Sequence, residues 1–222
     1  GDANADVRAT TFTATIAGAF GAMGGGDNSI DTTVTNLNVD TTSNGANGHQ
    51  WIDEADGLAT LNLNAGSGNI TLTSGGLVTD GDADADVRAT TFTATIAGAF
   101  GGMGGGDNSI DTTVTNLNVD TTSNGADGSQ WIDEADGLVT LNLNAGSGNV
   151  QLLAGGAIED GDGAVDIVAN GVVLFAATGI GAMAPIATNA QTISLAAING
   201  NIDVDNANDV PVTATLLQTG AG

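Results

Sequence analysis

The chain has 222 residues, 35 of them glycine, no cysteine, and 26 acidic against 2 basic side chains, for a formal charge of −24. Such a surface repels nucleic acid and anionic membranes, the lack of cysteine excludes a disulfide scaffold, and no apolar run is long enough for a membrane helix. Aromatic residues are only 3%, so the core must be thin, layered and built from small aliphatic side chains.

Repetition organises everything else. Residues 1–80 and 81–160 differ at 12 positions and are identical at 68, and seven of the differences fall between Ile70/Val150 and Thr79/Glu159. A third, diverged and shorter copy runs from 161 to 222, giving one solenoid-like domain rather than several. The start at Gly1, in mid-pattern, reads as the edge of a longer protein.

Within a copy, three segments carry the alternation of a strand with one buried face: Phe12 to Ile16, Leu37 to Thr41 and Leu61 to Ala65. Each follows a strand of opposite parity (Val7 and Ala9, Ile30 and Val34, Leu58), and a change of parity demands a bend or bulge. Each then enters a Gly-containing turn: AGAFG, TTSNG or AGSG. The spacings of 25, 24 and 31 residues sum to 80. They predict about three coils per copy, the third with an extra corner around Ile70; four coils of roughly 20 residues is the competing count. Thr, Val, Asn and Gly dominate, so helix propensity is low throughout. The expected fold is all-β, a parallel β-helix; a β-sandwich is the runner-up.

ITLTSGGLVTDG at 70–81 and AVDIVANGVVLFAATGIG at 164–181 resemble the repeats of filamentous-haemagglutinin-like bacterial surface proteins, the giant "β-strand repeat" adhesins. The resemblance implies a right-handed parallel β-helix, exposure at the cell surface or outside the cell, and a role as stalk, adhesin or matrix filament.

Asp80, Asp82, Asp84 and Asp86 alternate in a Gly-containing corner, with Asp160, Asp162 and Asp166 at the matching place in copy three. Oxygen-only ligands suit Ca²⁺; the plainer reading is a solvated acidic corner that discourages aggregation. GGGDNSID at 24–31 half-matches a calcium-binding nonapeptide, and the Asp40 and Asp53–Glu54–Asp56 stretches read as further acidic loops. Trp51 and Trp131 either stack on a glycan or pack over the side of the solenoid. His49 becomes Ser129 in the next copy and reads as a surface residue, and Arg8 and Arg88 read as partners of neighbouring Asp. Lyase chemistry needs a base beside its acids and a groove for an anionic polymer; a chain this acidic, with near-identical repeats, is expected not to be an enzyme. Thr11, Thr13 and Thr15 sketch an ice-binding ladder, but Asn-X-Asn interrupts it elsewhere. The expected function is an extracellular structural segment whose coils stack, with head-to-tail contact between copies or further repeats in the parent chain. A module binding a surface glycan or protein receptor is the alternative.

Overall fold

The computed structural model describes residues 5–22, 28–82, 85–102, 108–207 and 212–218. Among the described residues, copies one and two form eleven strands: β1 (Val7–Thr15), β2 (Ile30–Asp40), β3 (Gln50–Glu54), β4 (Thr60–Asn64), β5 (Asn69–Ser74), β6 (Val87–Ile96), β7 (Ile110–Asp120), β8 (Gln130–Glu134), β9 (Thr140–Asn144), β10 (Asn149–Ala154) and β11 (Ala157–Ile158). Copy three adds β12 (Ile167–Val168), β13 (Gly171–Ala176), β14 (Gly179–Ile180), β15 (Ile186–Asn189), β16 (Thr192–Ala197), β17 (Val204–Asn206) and β18 (Thr213–Gln218). Among the described residues, helix is confined to single 3₁₀ turns at Ser43–Gly45 and Ser123–Gly125.

All the strand ladders are parallel, each strand lying on one about a coil away in sequence, so the molecule is a parallel β-solenoid of about nine turns. One stacked row runs Val39, Leu63, Val87, Thr112, Glu134, Ala154, Ala176, Ala197. A second runs Ile52, Leu72, Ala94, Val119, Leu143, Ile167, Thr188 on the other main face. A short third side stacks Leu138 on Ile158, Ile180 and Ile202. The apolar members of these rows are buried, apart from half-buried Ile202; Leu72 and Leu143 are completely so, as are Leu37, Phe92 and Leu117 beside them. Each such side chain contributes ~1.5–3 kcal/mol by leaving water, and that burial holds a fold with little helix propensity and few aromatics.

The predicted parity switches before Phe12 and Leu37 are bends inside long strands, whereas Leu58 lies outside β4, on an isolated bridge to Val78. In β2, buried Thr32 and Val34 precede exposed Thr35, and burial resumes at Leu37 and Val39. Its first part pairs with β3 and its last part with β4, so one strand turns from one face onto the next. β6 and β7 do the same.

The coil count falls between the two expected values. Leu63 and Leu143 are equivalent by the 80-residue repeat, yet Leu143 lies in the second row, between the third and fourth steps above Leu63. One repeat therefore makes about three and a half coils. The extra half is β5, which stacks Ile70 between Gln50 and Phe92. Each copy consequently shows its features on the face its predecessor did not use.

Two corner features let the coils approach. Gly128 passes so close to Gly98 that a Cβ would overlap the Gly98 carbonyl, and Gly48 meets Gly18 in the same way. Outside the coils, side chains join neighbouring rungs: Asn36 Nδ2 donates to Thr11 Oγ1 at 3.0 Å, and Thr60 Oγ1 donates to Asn36 Oδ1 at 3.1 Å.

Candidate functional site

The acidic corners follow β5 and β10, where the chain leaves one face and turns toward the next. In copy three, Asp160 Oδ1 accepts the backbone N–H groups of Asp162 and Gly163, both at 2.8 Å, and Asp162 Oδ1 accepts that of Ala164 at 2.9 Å. The side chains thus fold the corner that carries them, as Asp does in turns. In the preceding copy Asp80 Oδ1 accepts the Asp82 N–H at 2.9 Å. Asp84 lies outside the described residues, as do Gly24 to Asp27 of the half-matched calcium nonapeptide.

The residue that completes the corner is Asp166, and its equivalents are Asp86 and Asp6. Asp166 Oδ2 accepts the Ala187 N–H of the next coil at 2.7 Å, Asp86 Oδ2 accepts that of Asp111 at 2.7 Å, and Asp6 Oδ2 accepts that of Asp31 at 3.1 Å. Asp86 and Asp166 are each only 1% exposed, and Oδ1 of each is buried without a hydrogen-bond donor. A carboxylate oxygen of Asp160, one of Asp162 and one of Asp166 lie within 4.8 Å of one another. Burial pushes the Asp166 carboxyl up to about 6, with the charges of Asp160 and Asp162 acting in the same direction. Burial pushes Asp86 up to about 8; the Asp111 N–H opposes the rise, and the charges of Asp80, Asp111 and Asp82 add to it.

The alternating row Asp80–Asp86 is therefore not a single array. Positions 80, 82 and 86, or 160, 162 and 166, form the corner, and the last of each set is held by the coil above it. The recurrence of Asp6, Asp86 and Asp166 at intervals of 80 marks them in the sequence.

The first part of WIDEADG, Trp51–Glu54, is strand rather than acidic loop, and of its acids only Asp56 lies in an exposed bend; Glu54 and Glu134 are completely buried inside the coil. Glu134 Oε2 accepts the Thr112 hydroxyl at 2.7 Å and the Val114 N–H at 3.1 Å, while Oε1 accepts the Asp136 N–H at 3.1 Å. Burial raises the Glu134 carboxyl above its usual range, against the pull of those three donors. Glu54 makes the same bonds to Thr32, Val34 and Asp56. These glutamates tie one coil's bend to its neighbour. The inward parity of Gln50, Ile52 and Glu54 carries that signal in the sequence.

Neither Trp is a core residue. Trp51 and Trp131 point outward, half-exposed, between buried Gln50 and Ile52 or Gln130 and Ile132. They stand on different faces. Trp51 heads a column of Thr71, Thr93, Asn118 and Asn142, and Trp131 one of Gln151, Val173, Ser194 and Thr215. Beside the second column lies a groove of about 340 Å³ floored at Gly171 and flanked by Asn149, Thr192 and Thr213. His49, on the surface as expected, has its ring 5.4 Å from that of Trp51, and its Nδ1 accepts the Asn69 N–H at 2.9 Å. Ser129 Oγ serves Asn149 in the same way at 3.0 Å, so the exchange of His for Ser preserves the bond between coils.

Among the described residues, no helix is long and apolar enough to cross a membrane. No known family, curated protein or solved structure matches the chain.

Proposed function

We propose that the chain is an extracellular structural segment, a rod that serves as stalk, filament or matrix fibre at a bacterial surface. The observation that carries this reading is the continuity of the stacked rows through about nine turns and all three copies. At ~4.8 Å per step, nine steps make a rod of about 43 Å. The likeness of 70–81 and 164–181 to filamentous-haemagglutinin-like repeats supports the same role and the same location. Among the described residues the outermost ladders are β1 on β2 and β18 on β16, and a further coil would stack on either by the same pairing. Further repeats in a longer chain, or a second copy in head-to-tail contact, would extend the rod; a heterologous contact that does not close produces a filament. The acidic flanks would limit lateral clumping. Negative-stain microscopy of the purified chain, with Ca²⁺ and with chelator, is expected to show end-to-end rods. Short monodisperse particles under both conditions would remove self-assembly from the proposal.

The adhesin reading rests on the Trp131 groove, where an indole face adjoins Asn, Gln, Ser and Thr side chains in a stacked column, a surface suited to a glycan. Binding on a glycan array that Trp131→Ala abolishes and Trp51→Ala leaves intact would favour it.

A further inference from the structure

We propose that the corner carrying Asp160, Asp162 and Asp166 is a Ca²⁺ site that clips the turn to the coil above it. Three carboxylates converge there, each with an oxygen within 4.8 Å of the others. Two of the three are buried: Asp160 is 5% exposed and Asp166 is 1% exposed. Among the described residues, the charged side chains acting on Asp166 are both carboxylates. Burying negative groups together is costly unless a proton or a cation neutralises them.

The second observation is independent of the clustering. Asp166 Oδ2 is engaged by the Ala187 N–H, but Oδ1 is buried with no donor. A buried acceptor left unmet costs ~1–3 kcal/mol, and more when it is charged. The Asp160 and Asp162 side chains cannot meet it as carboxylates, because they carry no proton to donate. A hard cation can.

The donors select the ion: an irregular set of carboxylate oxygens suits Ca²⁺, which takes about six to eight ligands at ~2.3–2.6 Å in flexible geometry, better than Mg²⁺, which demands a near-ideal octahedron at ~2.0–2.1 Å. Exposed Asp162 leaves one side of the corner open, so water can complete the shell. The ion would link a turn built by Asp160 to Asp166, whose other oxygen is anchored on the next coil.

The test is calorimetric titration of the chelator-treated full chain with CaCl₂ in about 0.1 M salt, where a Debye length of ~10 Å suppresses diffuse attraction to the acidic surface. The expected result is saturable binding, with one equivalent lost in Asp166→Asn and affinity at that site at least about tenfold weaker in Asp162→Asn. Asp56→Asn, which removes one exposed charge elsewhere, leaves both values unchanged. Asn keeps an oxygen for the Ala187 N–H, so Asp166→Asn is expected to unfold in chelator at or above the wild-type temperature while losing the rise that Ca²⁺ gives the wild type. Absence of saturable binding to the wild type, or Asp166→Asn binding as many ions as Asp56→Asn, would overturn the proposal. Both readouts are independent of whether rods assemble.

Discussion

Asp86 is a carboxylate enclosed by the coil it stabilises, with one oxygen on the Asp111 N–H and the other unserved. Its carboxyl stands at about 8 when folded, far above the ordinary 3.8. A group raised on folding holds extra protons in the native state, so its contribution is complete below the unfolded value and is lost as pH climbs through the folded one. Asp166, at about 6, and Glu134, also raised, have the same sign. Asp40 goes the other way, lowered by the Thr42 hydroxyl and N–H, and its contribution is lost only in acid. In chelator, thermal unfolding is therefore expected at a higher temperature at pH 5 than at pH 8.5, and Asp86→Asn should flatten the slope between pH 6 and pH 9. A wild-type midpoint that rises with pH, or an unchanged slope in the variant, would contradict this assignment.

At the scale of the element, the corners set how closely coils can stack. Gly128→Ala would drive a methyl group into the Gly98 carbonyl, at a place where backbone rather than a flexible side chain must yield. Overpacking of this kind costs ~1–3 kcal/mol, read as a lower urea midpoint; a midpoint within error of wild type would mean that the corner can relax. The strands themselves were legible, because Leu61 and Leu63, or Leu37 and Val39, alternate with Asn at period two, and the bends followed from the change of parity before Leu37 and Phe92. What could not be read was which strand stacks on which. Leu61–Leu63 and Ile70–Leu72 have the same inward pattern, so nothing in their residues says that they occupy different faces of one coil. The acidic corner was half legible for a related reason. Alternating Asp at 80–86 announces a turn, but the burial of Asp86 and Asp166 depends on the coil that closes over them.

At the scale of the whole molecule, a repeat of about three and a half coils requires each residue to suit two settings. Phe12 packs on Leu37 in one row, whereas its equivalent Phe92 lies between Ile70 and Leu117 in another. Such tolerance predicts that a whole copy can be removed. Deleting residues 81–160 joins Asp80 to Gly161, the same dipeptide as Asp80–Gly81. The shortened chain is expected to keep its β-sheet circular dichroism and to lose about 17 Å of length by small-angle scattering, three and a half steps of ~4.8 Å. A disordered or aggregated product would show that the rows are not interchangeable. The half coil also acts as an indexing device. Adding or removing one copy turns everything downstream onto the other face, while adding or removing two restores the original heading. In a long array, whether the number of copies is odd or even would decide which way the distal part of the protein faces, so a change in repeat number alters aim as well as reach.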